Sequence, residues 1–327
     1  MRRIFLSTVM LLSIVATAIG ASPASAQDKL SVRLDFSPWG VQAAMHLAQN
    51  KGWFKEANLD VDIQDGRGSG NTIQLVNAGQ ADVGQVQVGL VGSARAKGAT
   101  IRSIATFQRR TDLCILVDKD SPMARAADLR GKVVVVFAAS PWAPFIDTYL
   151  KSGGLSRDDL KVDVVDPAAL WGTYIAKRAD GLMSTVGSAL PIAEQPRPSK
   201  CLLASDANIT FPSYGLVARE DTIASKGPAL HRLIQVEQRA WQQLRTNPED
   251  GVKAMIAERP DARLDPAILL NQIKLTLDYF DTSATKGKPI GWQAKEDWEA
   301  ALKSMEAAGV VNAGWNVADY YTNSLVE

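Results

Sequence analysis

Asp35-Phe36-Ser37-Pro38-Trp39-Gly40-Val41-Gln42 ends an apolar strand and opens a helix. Upstream, Val32 and Leu34 alternate with polar residues as a half-buried strand does, and Pro38 drives Ser37 out of helical geometry. The strand therefore stops abruptly, with the rings of Phe36 and Trp39 at its carboxyl end. In open α/β sheets, ligands sit outside the carboxyl ends of strands, so the stretch reads as one wall of a small-molecule cleft. A lone ring in such a place covers a sheet edge about as often as it meets a ligand. The rest of the chain decides between the two.

Strands and helices alternate on both sides of this stretch. Strand 30–36 leads to a helix over 40–51 closed by Gly52, and strand 59–64 leads through Gly66-Arg67-Gly68-Ser69-Gly70 into a helix over 71–79. Strand 81–86 precedes a helix over 89–97. Connections of two to six residues between such elements predict a mostly parallel sheet with helices on its faces. Two strands follow between Ile101 and Val117, and Leu113-Cys114-Ile115-Leu116-Val117 is apolar throughout, as a strand buried on both faces is. A second alternation then begins, with strands at 133–137, 161–165 and 181–183 and helices over 142–152 and 167–178.

The two halves echo each other. Asn71 to Gly84 runs helix, Ala81-Asp82, short strand, and Trp171 to Gly181 repeats that order with Ala179-Asp180. Both short strands run out into polar residues, Gln85 and Gln87 in one half and Ser184 and Thr185 in the other. Two similar lobes with facing loops are expected. Ser213 to Ala218 reads as a strand crossing back to the first lobe beside 113–118. Beyond it Leu230, Leu233, Ile234, Ala240, Trp241 and Leu244 recur at helical spacing, and Pro248, Pro266 and the Trp298-Leu302-Met305 stripe mark three more helices packed on the first lobe.

Arg2-Arg3, the apolar stretch from Ile4 to Ile19 and the small residues Ala24-Ser25-Ala26 read as a signal peptide cleaved after Ala26. The stretch falls short of the roughly 20 apolar residues that span a bilayer. The expectation is a free periplasmic protein. Without the leader's two arginines, 34 Lys and Arg stand against 35 Asp and Glu, which offers no electrostatic footprint for nucleic acid or an anionic membrane. About 300 mature residues suggest two domains. The two cysteines, Cys114 and Cys201, each lie in an apolar run, where a disulfide and a pair of buried thiols are both open. His46 and His231 have no ligand-spaced neighbours, so no metal is expected. His46 reads as a helix-flank residue.

The glycine-rich loop lets backbone approach a ligand closely and then starts a helix whose free N–H groups favour oxygen ligands. It lacks the ending of a P-loop and the spacing of a dinucleotide fingerprint, and Ser69 or Asn71 acting only as a helix cap is the plainer alternative. Ala138-Ala139-Ser140-Pro141-Trp142 is its counterpart in the second half. No Gly-x-Ser-x-Gly elbow, cysteine–histidine pair or spaced carboxylate pair is present. Binding without catalysis, and without a cofactor, is the economical reading. Trp39, Trp142, Trp171 and Tyr174 fall at loop-to-helix junctions or first helical turns, on the side where two lobes would meet.

Several motifs resemble the periplasmic solute-binding proteins of ABC importers, in particular the branch that binds thiamine pyrimidine precursors, with relatives for nitrate, taurine and aliphatic sulfonates. Leu34-Asp35-Phe36-Ser37-Pro38 is similar to the family's Leu-Asp-Trp-x-Pro. The likeness continues through Gly52-Trp53-Phe54-Lys55-Glu56, Ala78-Gly79-Gln80-Ala81-Asp82-Val83-Gly84, Asp128-Leu129-Arg130-Gly131-Lys132, Gly291-Trp292, Asp297-Trp298, Ala308-Gly309-Val310 and Tyr320-Tyr321-Thr322-Asn323. Phe36 stands where the pyrimidine-binding members have Trp, Gln42 where they have histidine, and His46 replaces an aromatic residue. The cysteine-rich motif of the yeast-type pyrimidine-building enzymes is absent, so that activity is not implied.

The resemblance implies an α/β, two-lobed (type II) periplasmic-binding-protein fold with two crossover strands as hinge. It implies lobe 1 over 27–115 with 216–327 and lobe 2 over 116–215. A monomer would capture a small aromatic or heteroaromatic, pyrimidine-like solute by hinge closure and pass it to an inner-membrane permease and ATPase. Phe36 and Trp39 would stack from the first lobe and Trp142, Trp171 or Tyr174 from the second. Asp35, Pro38, Gln42, Ser69, Gly70, Asn71, Gln85, Gln87, Ser140 and Thr185 would shape the site and bind polar edges. A small-anion or aliphatic-sulfonate ligand, with Arg109 or Arg110 as partner, is the alternative. Menaquinone-pathway dehydratases, enzymes of the same fold, are opposed by the export signal.

Overall fold

The computed structural model describes residues 26–327. The signal peptide expected over 1–26 lies, apart from Ala26, outside the described residues. Among the described residues, ten strands carry the architecture. They are β1 (Asp28–Arg33), β2 (Leu59–Gln64), β3 (Val83–Gln87), β4 (Ile101–Thr106), β5 (Leu113–Asp118), β6 (Val133–Val136), β7 (Lys161–Val164), β8 (Gly181–Thr185), β9 (Ser199–Leu203) and β10 (Tyr214–Arg219).

They form two five-stranded sheets, in the orders β2-β1-β3-β10-β4 and β7-β6-β8-β5-β9. In the first sheet β1 pairs in parallel with β2 and β3, and β10 lies antiparallel between β3 and β4. In the second, β6 pairs in parallel with β7 and β8, and β5 lies antiparallel between β8 and β9. Each sheet is thus three parallel strands, one antiparallel strand and an outer strand. The echo between the sequence halves is this shared plan, and the α/β two-lobed fold is as expected.

One strand is placed differently. The apolar run at 213–218 does not return beside 113–118: it becomes β10 of the first sheet, and β5 belongs wholly to the second. Both runs are antiparallel strands flanked on either side, so both are apolar throughout, and composition alone cannot say which sheet each joins. The chain crosses between the sheets over 107–112 and again over 204–213, so the expected boundaries at 115/116 and 215/216 fall inside β5 and β10. Two second-lobe helices are also shorter than expected, Ile146–Ser152 and Leu170–Ile175. Pro141 starts a tight turn before the first, and Lys177, at φ 57°, stops the second.

Helices Ala43–Asn50, Glu220–Thr246, Pro248–Glu258 and Pro266–Asp278 bury their apolar stripes with Leu30, Val32 and Leu216 of the first sheet. A second core runs from Ile73 and Trp298 through Phe211 of the second crossing to Trp142 and Tyr149. Phe211 stacks on Phe145 of the second lobe, with centroids 4.9 Å apart. Its ring fills the space in which a side chain at Gly89 would lie, 2.2 Å from where a Cβ would stand. Cys114 on β5 and Cys201 on β9 are joined by a disulfide, so the paired-thiol alternative does not hold. Among the described residues, no helix is long and apolar enough to cross a membrane.

Candidate functional site

The first-lobe wall is built by the turn that follows β1. The Asp35 carboxylate accepts the side-chain amide of Gln42 at 2.9 Å and the indole N–H of Trp39 at 3.2 Å. Trp39 meets the Tyr214 ring edge-on at 5.2 Å. The glycine-rich loop wraps this turn: Gly68 donates its N–H to Asp35 O and Gly66 to Phe36 O. A Cβ on Gly66 would stand 2.0 Å from Leu34 O, which is why glycine is required there. Gly68 adopts φ 116°, a conformation that favours glycine. It is itself the residue at the N-cap of helix Ser69–Asn77, with no side-chain cap, so the capping alternative for Ser69 and Asn71 is not realised.

The second-lobe wall comes from Phe137 after β6, the turn at Ser140-Pro141, Leu170 and Trp171 at the start of their helix, Ser184 and Thr185 at the end of β8, and Ser188 just after it. The Thr185 hydroxyl accepts the Ser188 N–H and so begins helix Val186–Ala193. Contacts between the lobes here include Phe36 5.5 Å from Phe137, the Gly70 N–H donated to Ala139 O, the Gln272 amide donated to Ser188 O at 3.1 Å, and Arg67 paired with Asp166 at 3.4 Å. Between them lies a cavity of about 40 Å³. That is far below the roughly 300–1,000 Å³ of sites that hold small organic ligands. In this arrangement the cleft has no room for a ring-sized solute.

Of the residues expected to form a site, Asp35, Phe36, Trp39, Ser69, Ser140, Trp171 and Thr185 line this cleft. Phe137, Pro141, Leu170, Ser184, Ser188, Tyr214 and Gly68 line it too and are not among the residues expected to bind. Phe137 carried a usable signal, since it ends a strand as Phe36 does.

The other expected residues lie elsewhere. Trp142 is fully buried, edge-on to Tyr149 at 5.3 Å, with its indole N–H on Ser184 O at 2.7 Å. It is second-lobe core. Tyr174 is also buried, beneath the Arg197 guanidinium and bonded to the Ser199 hydroxyl. Gln42 supports Asp35 from behind, Gln85 bonds Val41 O beneath the wall, and Gly70 and Asn71 lie past the lining on their helix. Pro38 faces a separate groove with Asp65 and Arg259. His46 is buried rather than on a flank, and burial pulls its pKa down to about 4. Arg109, buried and paired with Asp281 at 2.8 Å, lines a different cavity, with Arg110.

The electrostatics of the cleft are one-sided. Its lining holds one carboxylate, Asp35, and no lysine, arginine or histidine. Burial raises the Asp35 pKa to about 6, against the lowering by its Gln42 and Trp39 hydrogen bonds. Beneath it, Asp112 of the first crossing accepts Gln87 Nε2 at 3.0 Å and the Ser213 hydroxyl at 2.9 Å. That network ties the end of β3 to both crossings. Burial raises the Asp112 carboxyl as well, and burial with both carboxylates nearby lifts the Tyr214 phenol well above its ordinary value. Among the described residues, no group of three metal-ligating side chains is present.

A family model described as NMT1/THI5 like matches residues 40–251. The chain is 23% identical over 241 residues to the riboflavin-binding protein RibY of Chloroflexus aurantiacus, covering 71% of this chain and 67% of that protein. It is 21% identical over 292 residues to the formylaminopyrimidine-binding protein of Halalkalibacterium halodurans, covering 88% and 87%. Among solved structures, the alkanesulfonate-binding protein SsuA of Xanthomonas axonopodis pv. citri, bound to MOPS, superimposes with a TM-score of 0.68 at 16% identity, covering 91% and 99%. At that identity the likeness speaks for the fold.

Proposed function

The chain belongs to the NMT1/THI5-like family, and from that premise we propose that it is the periplasmic solute-binding component of an ABC importer. In this reading it takes a flat aromatic or heteroaromatic, pyrimidine-like solute between its lobes and passes it to an inner-membrane permease and ATPase. It performs no chemistry of its own. The observation that carries the reading is the cleft lining: rings at Phe36, Trp39, Phe137, Trp171 and Tyr214, a single carboxylate and no cationic side chain.

Magnitudes support several rings acting together. Micromolar affinity needs about 8 kcal/mol, and one ring stack contributes only about 0.5–1.5 kcal/mol beyond the area it buries. Rings on two walls, brought together by closure, reach the first figure; one ring does not. Asp35 is suited to accept N–H donors on the solute's edge. An anionic solute finds no counter-charge here, which weighs against a sulfonate. The disulfide suits an oxidising compartment outside the cytoplasm.

A thermal-shift screen over pyrimidines, flavins, aromatic acids and alkanesulfonates tests this. A ring-bearing solute at a hundredfold excess over its Kd adds about 2.7 kcal/mol of stability. In calorimetry, Trp39→Ala/Trp171→Ala binds that solute more than about tenfold more weakly. Tight binding of alkanesulfonates with no response to ring-bearing solutes overturns the proposal.

A further inference from the structure

A second cavity, of about 290 Å³, opens where the chain crosses between the lobes. The first crossing gives it Arg109, Arg110 and Thr111, and the second gives it Phe211. Leu203, at the end of β9, belongs to the second sheet, while Asp297 and Ala300 sit on helix Lys295–Ala307, which packs on the first. No residue of the cleft lines it. Its shape is therefore set by the angle between the lobes.

Its chemistry is that of an anion site. Two guanidinium groups face one carboxylate, Asp297, which already accepts the Thr282 hydroxyl at 2.7 Å. Arg109 is held by Thr106 O, Asp281 and Pro289 O, which occupy three of the five N–H donors of a guanidinium. Arg110 lies over the Tyr279 ring, 4.9 Å from its centre, and is anchored on Asp278 O. The Thr111 hydroxyl oxygen is buried without a partner. A buried polar atom left unmatched costs about 1–3 kcal/mol, so a ligand that reaches it recovers that cost.

We propose that this crossing cavity is a second ligand site, for a small carboxylate anion, and that its occupancy holds the lobes in the closed arrangement. A planar carboxylate matches the guanidinium fork of Arg110, takes the Thr111 hydroxyl as a further donor and lays its carbon chain against Phe211. Asp297 accepts a hydroxyl on the same molecule, which selects hydroxycarboxylates over inorganic anions. The cavity has this size while the cleft is nearly shut, at about 40 Å³. A ligand that fits it binds this conformation best and shifts the population toward it. By linkage, the two sites then strengthen each other.

The test needs no cleft ligand, so its result is independent of the reading of the cleft. The mature protein is titrated calorimetrically with L-malate at constant ionic strength, with sulfate in parallel. Expected is saturable malate binding with a Kd at or below about 1 mM. It weakens about tenfold or more in Arg110→Ala and in Thr111→Val. X-ray scattering shows a smaller radius of gyration with malate. Arg110 is exposed, so its removal leaves the core intact, and Thr111→Val preserves shape. No saturable binding, equal binding by Arg110→Ala, or sulfate binding as tightly as malate overturns the site. Malate binding with no change in the radius overturns its hold on the lobes.

Discussion

The cleft and the crossing cavity are both lined by residues of the two lobes, yet their chemistry is opposite. One has five rings, a carboxylate and no cation; the other has two guanidinium groups against one carboxylate. Burying a charge is tolerable only where it is paired, so a site's fixed charges select the solute as strongly as its shape does. Two pockets that differ this much admit different molecules.

Three changes test that contrast. The largest effect concerns what is wall and what is core. Trp142→Ala empties the second-lobe core and costs about 3–5 kcal/mol of stability, whereas Trp171→Ala, on the cleft wall and half-exposed, costs well under half of that. Equal losses in denaturant melts would erase the distinction between them.

The second change concerns charge. With its pKa raised to about 6, the folded Asp35 keeps its proton where the unfolded chain has lost it. Stability from this group is full near pH 4 and is lost as pH rises to 6, at up to about 1.4 kcal/mol per pH unit. Asp35→Asn removes that slope. The stability difference between variant and wild type therefore grows by about 1–3 kcal/mol from pH 4 to 7, in favour of the variant. Taking the difference removes the background titration of groups such as Asp112, which shares the Tyr214 phenol with Asp35. Malate binding at the crossing cavity stays the same in the variant; a parallel loss there would join the two sites electrostatically.

The smallest effect is at the mouth of the cleft. Arg67 and Asp166 are both largely exposed, so Arg67→Ala weakens cleft binding by less than about 1 kcal/mol. A larger loss in calorimetry would make this ion pair a latch.

Much of this was legible in the sequence. Alternating strands and helices, and the repeated helix, Ala-Asp, strand order, carried the two lobes. Pro38 marked where β1 must turn, which brought Asp35, Phe36 and Trp39 to the cleft. The direction of a ring on a short turn was not legible. Trp142 follows Ser140 and Pro141, both of which line the cleft, but its N–H finds Ser184 O on the inner side. Leu170 and Tyr174, four residues apart, share the buried side of a helix, and Trp171 sits one residue round from it. Tyr214 read only as the start of a strand. Its place in the floor depends on β10 lying next to β3, which no local pattern encodes.

The disulfide carries a further consequence. Cys114 and Cys201 stand on the strand that enters the second lobe and the strand that leaves it, their Cα atoms 5.4 Å apart. The 87-residue separation between them is closed into a ring, covalently joined to the rest of the molecule at a single neck. A protease that nicks this ring releases nothing. In heredity the same geometry makes the second lobe a cassette: a recombination that replaces everything inside the neck exchanges one wall of the cleft and leaves the other, from Asp35 to Trp39, as it was.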